Sequence, residues 1–310
     1  MDESRIPATG SAHSRLTEGR SRRYESRFET VPAALSLVRF KLEFRHLRSV
    51  PNTPMRTPPL QYSKGIVAIL DALGAASYSD DDVERFVESR TVVLGQLNEK
   101  AEGVLGEIKA DMVKTFTFND TVLVILNTGT EDPNLRRISQ FFMIMRKFLV
   151  DSLAKKILFR GSIAIGTFYA DDGTNTVMGQ AVTDAAAWYD KADWIGVHTT
   201  PRTNLVINRC LEHEAASKEH VMLDYPVPLK NGAVIRTKAV NWPKVFFVES
   251  IKPCAAGAEK EKLLEFLTRH PVPWGTESKF SNTLAFFDHA VKQLNSKKKK
   301  HQPTTQGIDE

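Results

Sequence analysis

The sequence predicts an α+β fold in which helices cover one side of an antiparallel-rich sheet. Three observations indicate this class. Residues 66–70 form an apolar run typical of a buried strand, and residues 113–118 and 122–126 are two strand-like runs joined by a turn. The segments between such runs carry apolar residues at helical spacing. The resulting order of strand, helix, hairpin, helix, strand, helix and strand favours an α+β domain.

Two aspartates stand at the ends of the predicted strands. Asp71 directly follows the first apolar run and precedes a turn of small residues that ends at Gly74. Asp120 lies between Asn119 and Thr121, a turn signal that places it at the tip of a hairpin. Taken singly, an aspartate at a strand end is typical of a turn former or helix cap. If these strands are neighbours, the two carboxylates converge.

A third strand adds one cation to this pair. Residues 157–166 read ILFRGSIAIG, with Arg160 among apolar residues and Gly161 at a point where backbone can approach a ligand closely. Two carboxylates at a sheet edge suit Mg²⁺ or Mn²⁺, which often take one or two protein carboxylates together with substrate phosphates. The pattern therefore predicts a phosphate-handling site. The alternative for Arg160 is a surface ion pair.

The remaining elements follow from periodicity and turn signals. Residues 80–108 predict one or two helices that begin with three aspartates, and Asp132-Pro133 opens a further helix with an apolar face over 135–153. A turn at 171–173 leads to a helix over 179–193 with an alanine-rich face. The later expectations are strands at 195–198, 221–223, 233–240 and 245–249, and helices from Pro201, at 259–267 and at 283–294.

Composition narrows the function classes. The net charge of +5 comes from residues 1–60, which hold 11 Lys/Arg and 6 Asp/Glu, whereas residues 61–310 hold 31 of each. A general nucleic-acid footprint is therefore not indicated. No apolar run approaches the roughly 20 residues of a membrane span, and two cysteines, Cys210 and Cys254, are too few for a disulfide framework. We expect a soluble, cytoplasmic protein without a membrane span or a nucleic-acid partner.

Four segments are expected. Residues 1–60 predict a disordered basic arm, in which 31–50 could form an amphipathic helix; alternatively, the segment before Met55 is a non-native extension of the reading frame. Residues 61–250 hold the catalytic motifs. A helical extension is expected over 251–296 and a disordered tail over 297–310, which begins with four lysines.

The motifs carry a family resemblance. ILDALG with Asp71, FNDT with Asp120 and FRGSIAIG with Arg160, followed by GQAVTDAAAWYDKA, resemble the class III nucleotidyl cyclases in order and spacing. The chain is more narrowly similar to the Pycsar pyrimidine cyclases of bacterial antiphage defence. The motifs that carry this similarity are LDALG, FNDT, RGSIAIG, the GQAV helix and the late NWP at 241–243. The resemblance covers about residues 62–250 and implies the ferredoxin-like cyclase core.

The resemblance implies a two-metal reaction. A nucleoside triphosphate becomes a 3′,5′-cyclic monophosphate and pyrophosphate, with two Mn²⁺ or Mg²⁺ ions in each site. Asp71 and Asp120 would bridge both ions, and the carbonyl of Ala72 would also bind metal. Arg160 falls where the family places a phosphate-binding arginine. The backbone N–H groups that would face the triphosphate belong to Gly74, Ala75 and Ala76.

The base pocket departs from the purine cyclases. Those enzymes read adenine with a lysine and an aspartate, and the same counting leads here to Phe116 and Thr176, which cannot supply that charged pair. Phe116 adds bulk and Thr176 a neutral hydroxyl, which favours a pyrimidine. Nearby Lys114, Asn175 or Asp184 could substitute for the missing groups.

The transition-state positions also depart from the family. The asparagine and arginine that act there in the purine enzymes fall on Thr183 and Ala187. The chain is then either a degenerate cyclase or a member of a branch with a different base pocket, such as the Pycsar cyclases.

Three readings of the function remain. The first is a uridylate cyclase that makes cUMP from UTP, with cytidylate cyclisation as the variant. The second is a cyclase-like module that binds nucleotide without turnover, and the third is a palm-type nucleotidyltransferase. The resemblance further implies a head-to-tail homodimer with active sites at the interface, and a separately encoded effector that the cyclic nucleotide activates.

Overall fold

The computed structural model describes residues 61–105, 112–213, 220–249, 258–268 and 274–300. Within these ranges, eight strands form one mixed, mainly antiparallel sheet. Its strands are β1 (Ser63–Ala72), β2 (Val113–Phe118), β3 (Thr121–Gly129), β4 (Phe159–Asp171), β5 (Thr176–Met178), β6 (Gly196–Thr199), β7 (Met222–Pro228) and β8 (Val234–Val240).

The sheet order places the two predicted aspartate elements side by side. The strands follow the order β2-β3-β1-β4-β6-β8-β7, and β5 pairs with the far end of β4. β1 lies between β3 and β4 and is antiparallel to both, so residues 66–70 are fully flanked and buried. Only β6, which pairs with β4, runs parallel to its neighbour among the described pairings.

Seven helices accompany the sheet in the described residues. They are α1 (Asp80–Leu105), α2 (Leu135–Ala154), α3 (Gln180–Trp188), α4 (Pro201–His213), α5 (Trp242–Glu249), α6 (Ala258–Thr268) and α7 (Glu277–Lys300). The expected α+β class, with an antiparallel-rich sheet covered by helices, is confirmed. The Asn134 side chain accepts a hydrogen bond from the N–H of Arg137 and so caps α2, one residue after the predicted Asp132-Pro133 start.

The sheet has a buried face on both sides, contrary to the expectation that helices cover one side. Ile66, Ala68 and Leu70 pack with α1, α2 and the later helices in the larger core. Val67 and Ile69 alternate with them and pack against α3 on the other face. Helix α3 can pack close to the sheet because it presents small residues to it, as the alanine-rich face predicted.

Several element predictions need correction. Residues 245–249 are not a strand but the last part of α5, since Trp242-Pro243 starts a helix whose apolar residues pack between α2 and α7. The helix expected over 179–193 ends at Trp188. The strand expected over 157–166 begins at Phe159 and continues to Asp171, where it pairs with β5, a strand that was not predicted.

The C-terminal helices share the core of the sheet. Phe286 of α7 contacts the ring of Trp194, with a centroid distance of 4.7 Å, and both side chains are fully buried. Leu263 and Leu267 of α6 belong to the same core. Helix α7 runs to Lys300, so the expected boundary at 296 falls inside this helix.

Some expectations lie outside the described residues. They are the N-terminal arm with its 31–50 segment and Met55, the Cys254 position, and the tail after residue 300. Cys210 on α4 forms no disulfide bond within the described residues. None of the described helices is long and apolar enough to cross a membrane.

Candidate active site

Asp71 and Arg160 form the centre of the site. The two residues lie opposite each other on β1 and β4, and their side chains point to the face covered by α3 because each alternates with a neighbour in the larger core. The Nε and Nη2 atoms of Arg160 donate to Oδ2 of Asp71 at 3.1 and 2.8 Å. Their side chains are 12% and 17% exposed, so this is a largely buried pair and not the surface ion pair considered above.

Gly161 sets how closely these two strands approach. A Cβ atom at this position would lie 2.3 Å from the carbonyl oxygen of Ile69. The close approach predicted at Gly161 is thus to the backbone of β1. Any larger residue would push β4 away from β1 and separate Arg160 from Asp71.

Asp120 reaches the same end of β1 from the hairpin turn. The predicted turn is confirmed, with Asn119 in the left-handed region at φ 53°. The carbonyl of Asp120 accepts a hydrogen bond from the N–H of Ala72 at 3.3 Å. Arg90 of α1 donates to the carbonyl of Asn119, which fixes the turn against α1. The backbones of the two predicted metal-binding segments therefore meet.

The turn after β1 has the backbone form that the small residues predicted. Gly74 has φ 89°, which a glycine adopts without strain, and it precedes a 3₁₀ turn, Ala75–Ser77. The carbonyl of Gly74 accepts bonds from the N–H and Oγ of Ser77 at 3.0 and 2.8 Å. The first N–H groups of such a turn have no partner within it, so the turn suits a ligand that accepts hydrogen bonds.

Tyr189 is a site residue that sequence reasoning missed. It follows α3 directly and continues the sheet-facing row of Ala181 and Ala185 at a spacing of four residues. Burial raises the pKa of the Tyr189 hydroxyl, and the charges of Asp71, Asp190 and Asp120 raise it further against the opposing effect of Arg160. Both predicted metal aspartates thus lie within electrostatic reach of this hydroxyl. The spacing of four residues from Ala181 through Ala185 to Tyr189 is the sequence pattern that could have predicted its place in the site.

Lys230 is a second missed residue. It lies in the turn between β7 and β8, where its N–H donates to the carbonyl of Lys191 at 2.9 Å. Burial lowers the pKa of the Lys230 ammonium, as does the nearby Arg160 cation, while Asp190 and Asp71 oppose the change. Lys230 therefore brings positive charge close to the Asp71 pair. No local pattern around residue 230 indicated this.

The predicted base-binding residues do not join the aspartates within one chain. Thr176 pairs with Asp171, eleven residues along β4 from Arg160, which corresponds to roughly 36 Å of extended strand. Phe116 is 8% exposed and packs in the smaller core with Val67 and Ile69. Thr183 is exposed on α3. A site that uses Thr176 together with Asp71 would need a second copy of the chain.

Phe116 and Thr176 cannot supply a charged pair, but a lysine and an aspartate near them in the sequence do form one. The ammonium of Lys114 on β2 forms an ion pair with Asp172, in the turn between β4 and β5. Asp184 is engaged elsewhere, since its carboxylate accepts a hydrogen bond from Thr200 at 2.7 Å. Of the substitutes considered for the purine-reading pair, Lys114 is thus the one that meets an aspartate.

The carboxylates at the end of β1 suit divalent ions, because they offer oxygen ligands and some of these oxygens accept no hydrogen bond from the described residues. Both donors of Arg160 occupy Oδ2 of Asp71, which leaves Oδ1 without a hydrogen-bond partner among the described residues. The Asp120 carboxylate likewise accepts no hydrogen bond there. Within the described ranges no group of three or more His, Cys, Asp and Glu side chains gathers in one place, so such ions would need substrate oxygens to complete their coordination.

Comparison with known proteins gives distant matches only. The chain matches no known family profile and no curated protein. Similar solved structures include the adenylyl cyclase CyaB from P. aeruginosa, at 12% identity and TM-score 0.38, covering 59% of this chain and 96% of that one. The catalytic core of a rhodopsin-guanylyl cyclase with converted specificity, in complex with ATPαS, has 14% identity and TM-score 0.37 over 59% and 98%. An adenylate/guanylate cyclase/hydrolase from Silicibacter pomeroyi has 13% identity and TM-score 0.37 over 58% and 97%. Likenesses this distant establish neither a family nor an activity for the chain.

Proposed function

We propose that the protein is a nucleotidyl cyclase that converts a nucleoside triphosphate into its 3′,5′-cyclic monophosphate and pyrophosphate. The observation that supports this best is that Asp71, Asp120 and Arg160 lie at one end of β1, beside a glycine turn whose first N–H groups have no partner within the turn. Carboxylates for cations and donors for phosphate are what phosphoryl transfer requires. No protein nucleophile is needed.

The bond changes define the work of each residue. The ribose 3′-oxygen forms a bond to the α-phosphorus, the bond from this phosphorus to the β-phosphate oxygen breaks, and the hydroxyl proton passes to water. Two divalent ions, when bound, would lower the pKa of the 3′-hydroxyl and offset phosphate charge. Asp71 and Asp120 would hold these ions, together with the carbonyl of Ala72. The N–H groups of Gly74, Ala75 and Ala76 would orient the triphosphate.

Arg160 exchanges partners in this mechanism. Without substrate it neutralises Asp71, which keeps a largely buried carboxylate satisfied. With substrate, the guanidinium would turn from Oδ2 to a phosphate oxygen, and the carboxylate would become a full metal ligand. Lys230 lies close enough to share the resulting negative charge. Tyr189, whose raised pKa keeps its hydroxyl protonated at neutral pH, would donate a hydrogen bond beside Asp71.

The substrate is proposed to be UTP, with CTP as its main competitor. The neutral hydroxyl of Thr176 suits a pyrimidine, whereas Phe116 packs in the smaller core and contributes no open surface to the base. The product would serve a separate effector in antiphage defence, as the resemblance to the Pycsar cyclases implies. Lys114 favours a second candidate, a purine triphosphate, because its ion pair with Asp172 supplies a cation and an anion near the predicted base pocket. Thr183 would lie near the transition state in either case.

A second copy of the chain is part of the proposal. Thr176 and Thr183 would serve the Asp71 site of the partner subunit, in a head-to-tail homodimer with two shared sites. The support is geometric: Thr176 lies far along β4 from Arg160, and Thr183 is exposed.

Purified protein supplied with Mn²⁺ and each of the four ribonucleoside triphosphates tests the reaction and the base together. We expect cUMP as the main cyclic product. Preferential cyclisation of ATP or GTP that is lost in Lys114→Gln would replace the pyrimidine assignment with the purine one. Absence of any cyclic product would favour a nucleotide-binding module without turnover.

A further inference from the structure

A cavity of about 790 Å³ lies behind the turn that follows β1. Its walls come from this turn, the first half of α1, the connection between α2 and β4, and the start of α7. The volume is within the range of roughly 300–1,000 Å³ that is usual for small-molecule sites. The cavity is therefore large enough for a mononucleotide.

The cavity shares the turn at Gly74 with the Asp71 site but lies on the other face of β1. It is lined by Phe86 and Leu158, which belong to the larger core on the α1 and α2 face of the sheet. Leu70 points to this same face, so the next residue, Asp71, points to the opposite one. A ligand in the cavity and a substrate at Asp71 would occupy the two sides of the same strand end.

Three lysine side chains line the cavity. Lys155 and Lys156 precede β4, and Lys279 is on the first turns of α7. None of the three forms an ion pair with a carboxylate of the described residues, whereas Arg85 is paired with Asp82 at 2.6 Å. Lys156 also has φ 62°, a left-handed conformation that is unfavourable for lysine. Arg85 and these three lysines stand against two carboxylates in the lining, Asp82 and Glu88, so the cavity has a net positive charge.

Apolar and aromatic side chains form the rest of the lining. Phe280 of α7 lies in the wall with Phe86, and the ring of Phe86 lies 5.6 Å from that of Tyr78 between centroids. Such rings suit a flat aromatic group, and several lysines suit an anion with more than one charge. We propose that this cavity binds a phosphorylated aromatic small molecule of the nucleotide class, with the phosphate at Lys155, Lys156 and Lys279 and the ring between the apolar walls.

The cavity is connected to the turn of the active site. The N–H of Leu73 donates to the carbonyl of Leu158 at 2.8 Å, and both residues line the cavity with Gly74. A bound ligand would press on the turn that follows Asp71 and would change the cyclisation rate. This regulatory effect rests on the proposed cyclase function, whereas binding in the cavity does not.

Binding of trinitrophenyl-AMP, a fluorescent nucleotide monophosphate, to the full chain in EDTA tests the proposal. We expect saturable binding that weakens at least tenfold in Lys279→Gln. Lys292→Gln is the matched control, because Lys292 is exposed on the same helix outside the cavity, and it should leave the affinity unchanged. Lys156→Asn should also weaken binding, since asparagine tolerates the left-handed conformation and the charge alone is lost.

Two comparisons decide whether the probe occupies this cavity. Asp120→Asn should leave metal-free binding intact, and unlabelled AMP should displace the probe at least tenfold better than adenosine. Absence of binding, an equal loss in Lys292→Gln, loss in Asp120→Asn, or equal competition by adenosine would each overturn the proposal. Binding that persists in a protein without cyclase activity would uphold the site and reject only the proposed function.

Discussion

Arg160 directs both Nε and Nη2 to a single oxygen of Asp71, its cross-strand neighbour, and the second carboxylate oxygen accepts no hydrogen bond from the described residues. The pair keeps the carboxylate of the proposed ion site charge-balanced and largely buried. A cation arriving with its nucleotide can then approach Oδ1 while the guanidinium still occupies Oδ2. The same two residues thus serve both stability and the proposed chemistry.

The ion pair predicts strong energetic coupling. Asp71→Asn and Arg160→Gln should each lower the free energy of unfolding by roughly 1–3 kcal/mol, because each leaves a largely buried partner charge uncompensated. The double variant should lose clearly less than the sum. Urea unfolding of the four proteins measures this coupling. Asp132→Asn is the control, since its pair with Lys64 is exposed and worth less than about 1 kcal/mol. Additive losses of unfolding free energy in the Asp71 and Arg160 variants would contradict the pairing.

Terbium luminescence can test Tyr189 independently of turnover. Tb³⁺ prefers oxygen ligands and emits when a tyrosine close by is excited. We expect sensitised emission that falls in Tyr189→Phe, because the charges of Asp71 and Asp120 both raise the pKa of the Tyr189 hydroxyl, which therefore lies in the electrostatic field of both carboxylates. Emission should disappear in the Asp71→Asn/Asp120→Asn double variant. Unchanged emission in Tyr189→Phe would separate this residue from the proposed ion site.

Stability should fall with acid because of His198. This histidine is fully buried in β6, its Nδ1 lies 2.9 Å from the carbonyl oxygen of Thr199, and its Nε2 has no hydrogen-bond partner in the part of the chain that the structure describes. Burial lowers its pKa from 6.5 to about 4. The unfolded chain therefore binds a proton at a higher pH than the folded one, and stability is lost progressively as the pH falls from 6.5 towards 4, by about 3 kcal/mol at most. Urea midpoints across this range should show a shallower decline in His198→Leu than in the parent protein; parallel declines would contradict the assignment.

The shared-site arrangement predicts complementation. Asp71→Asn removes an ion ligand, and Thr176→Arg blocks the predicted base position, so both proteins should be inactive alone. After mixing and subunit exchange, the heterodimer contains one intact site, and activity should return to about a quarter of the parent level at equal concentrations. An active enzyme that is monomeric in light scattering would contradict the shared site.

Local signals predicted the elements that carry the two aspartates. The apolar run before Asp71 and the Asn119 turn before β3 are formed by neighbouring residues, and the structure has both where expected. The segment 245–249 was predicted wrongly, because its valines and phenylalanines fit a strand or a buried helix. Packing against α7, which is distant in sequence, selects the helix.

The rest of the site depends on tertiary placement. Lys230 approaches Arg160 only because β7 and β8 turn back towards the start of β4, and the cavity exists only because the start of α7 lies across from the first half of α1. Neither relationship leaves a pattern in the residues around it. Tyr189 could be predicted in part. Its spacing from Ala181 and Ala185 is visible in the sequence, but only the packing of α3 on the sheet shows that this row faces the site.

The most direct test of the proposed reaction is formation of cyclic nucleotide from UTP with Mn²⁺, followed by mass spectrometry, in the parent protein, Asp71→Asn, Asp120→Asn and the exposed control Asp132→Asn. We expect cUMP and pyrophosphate in equal amounts from the parent and the control. Each of the other two variants should lose at least about a thousandfold in rate while remaining folded, because each lacks a ligand of the reaction's ions. Near-native cyclisation by either Asp71→Asn or Asp120→Asn would contradict the two-metal assignment.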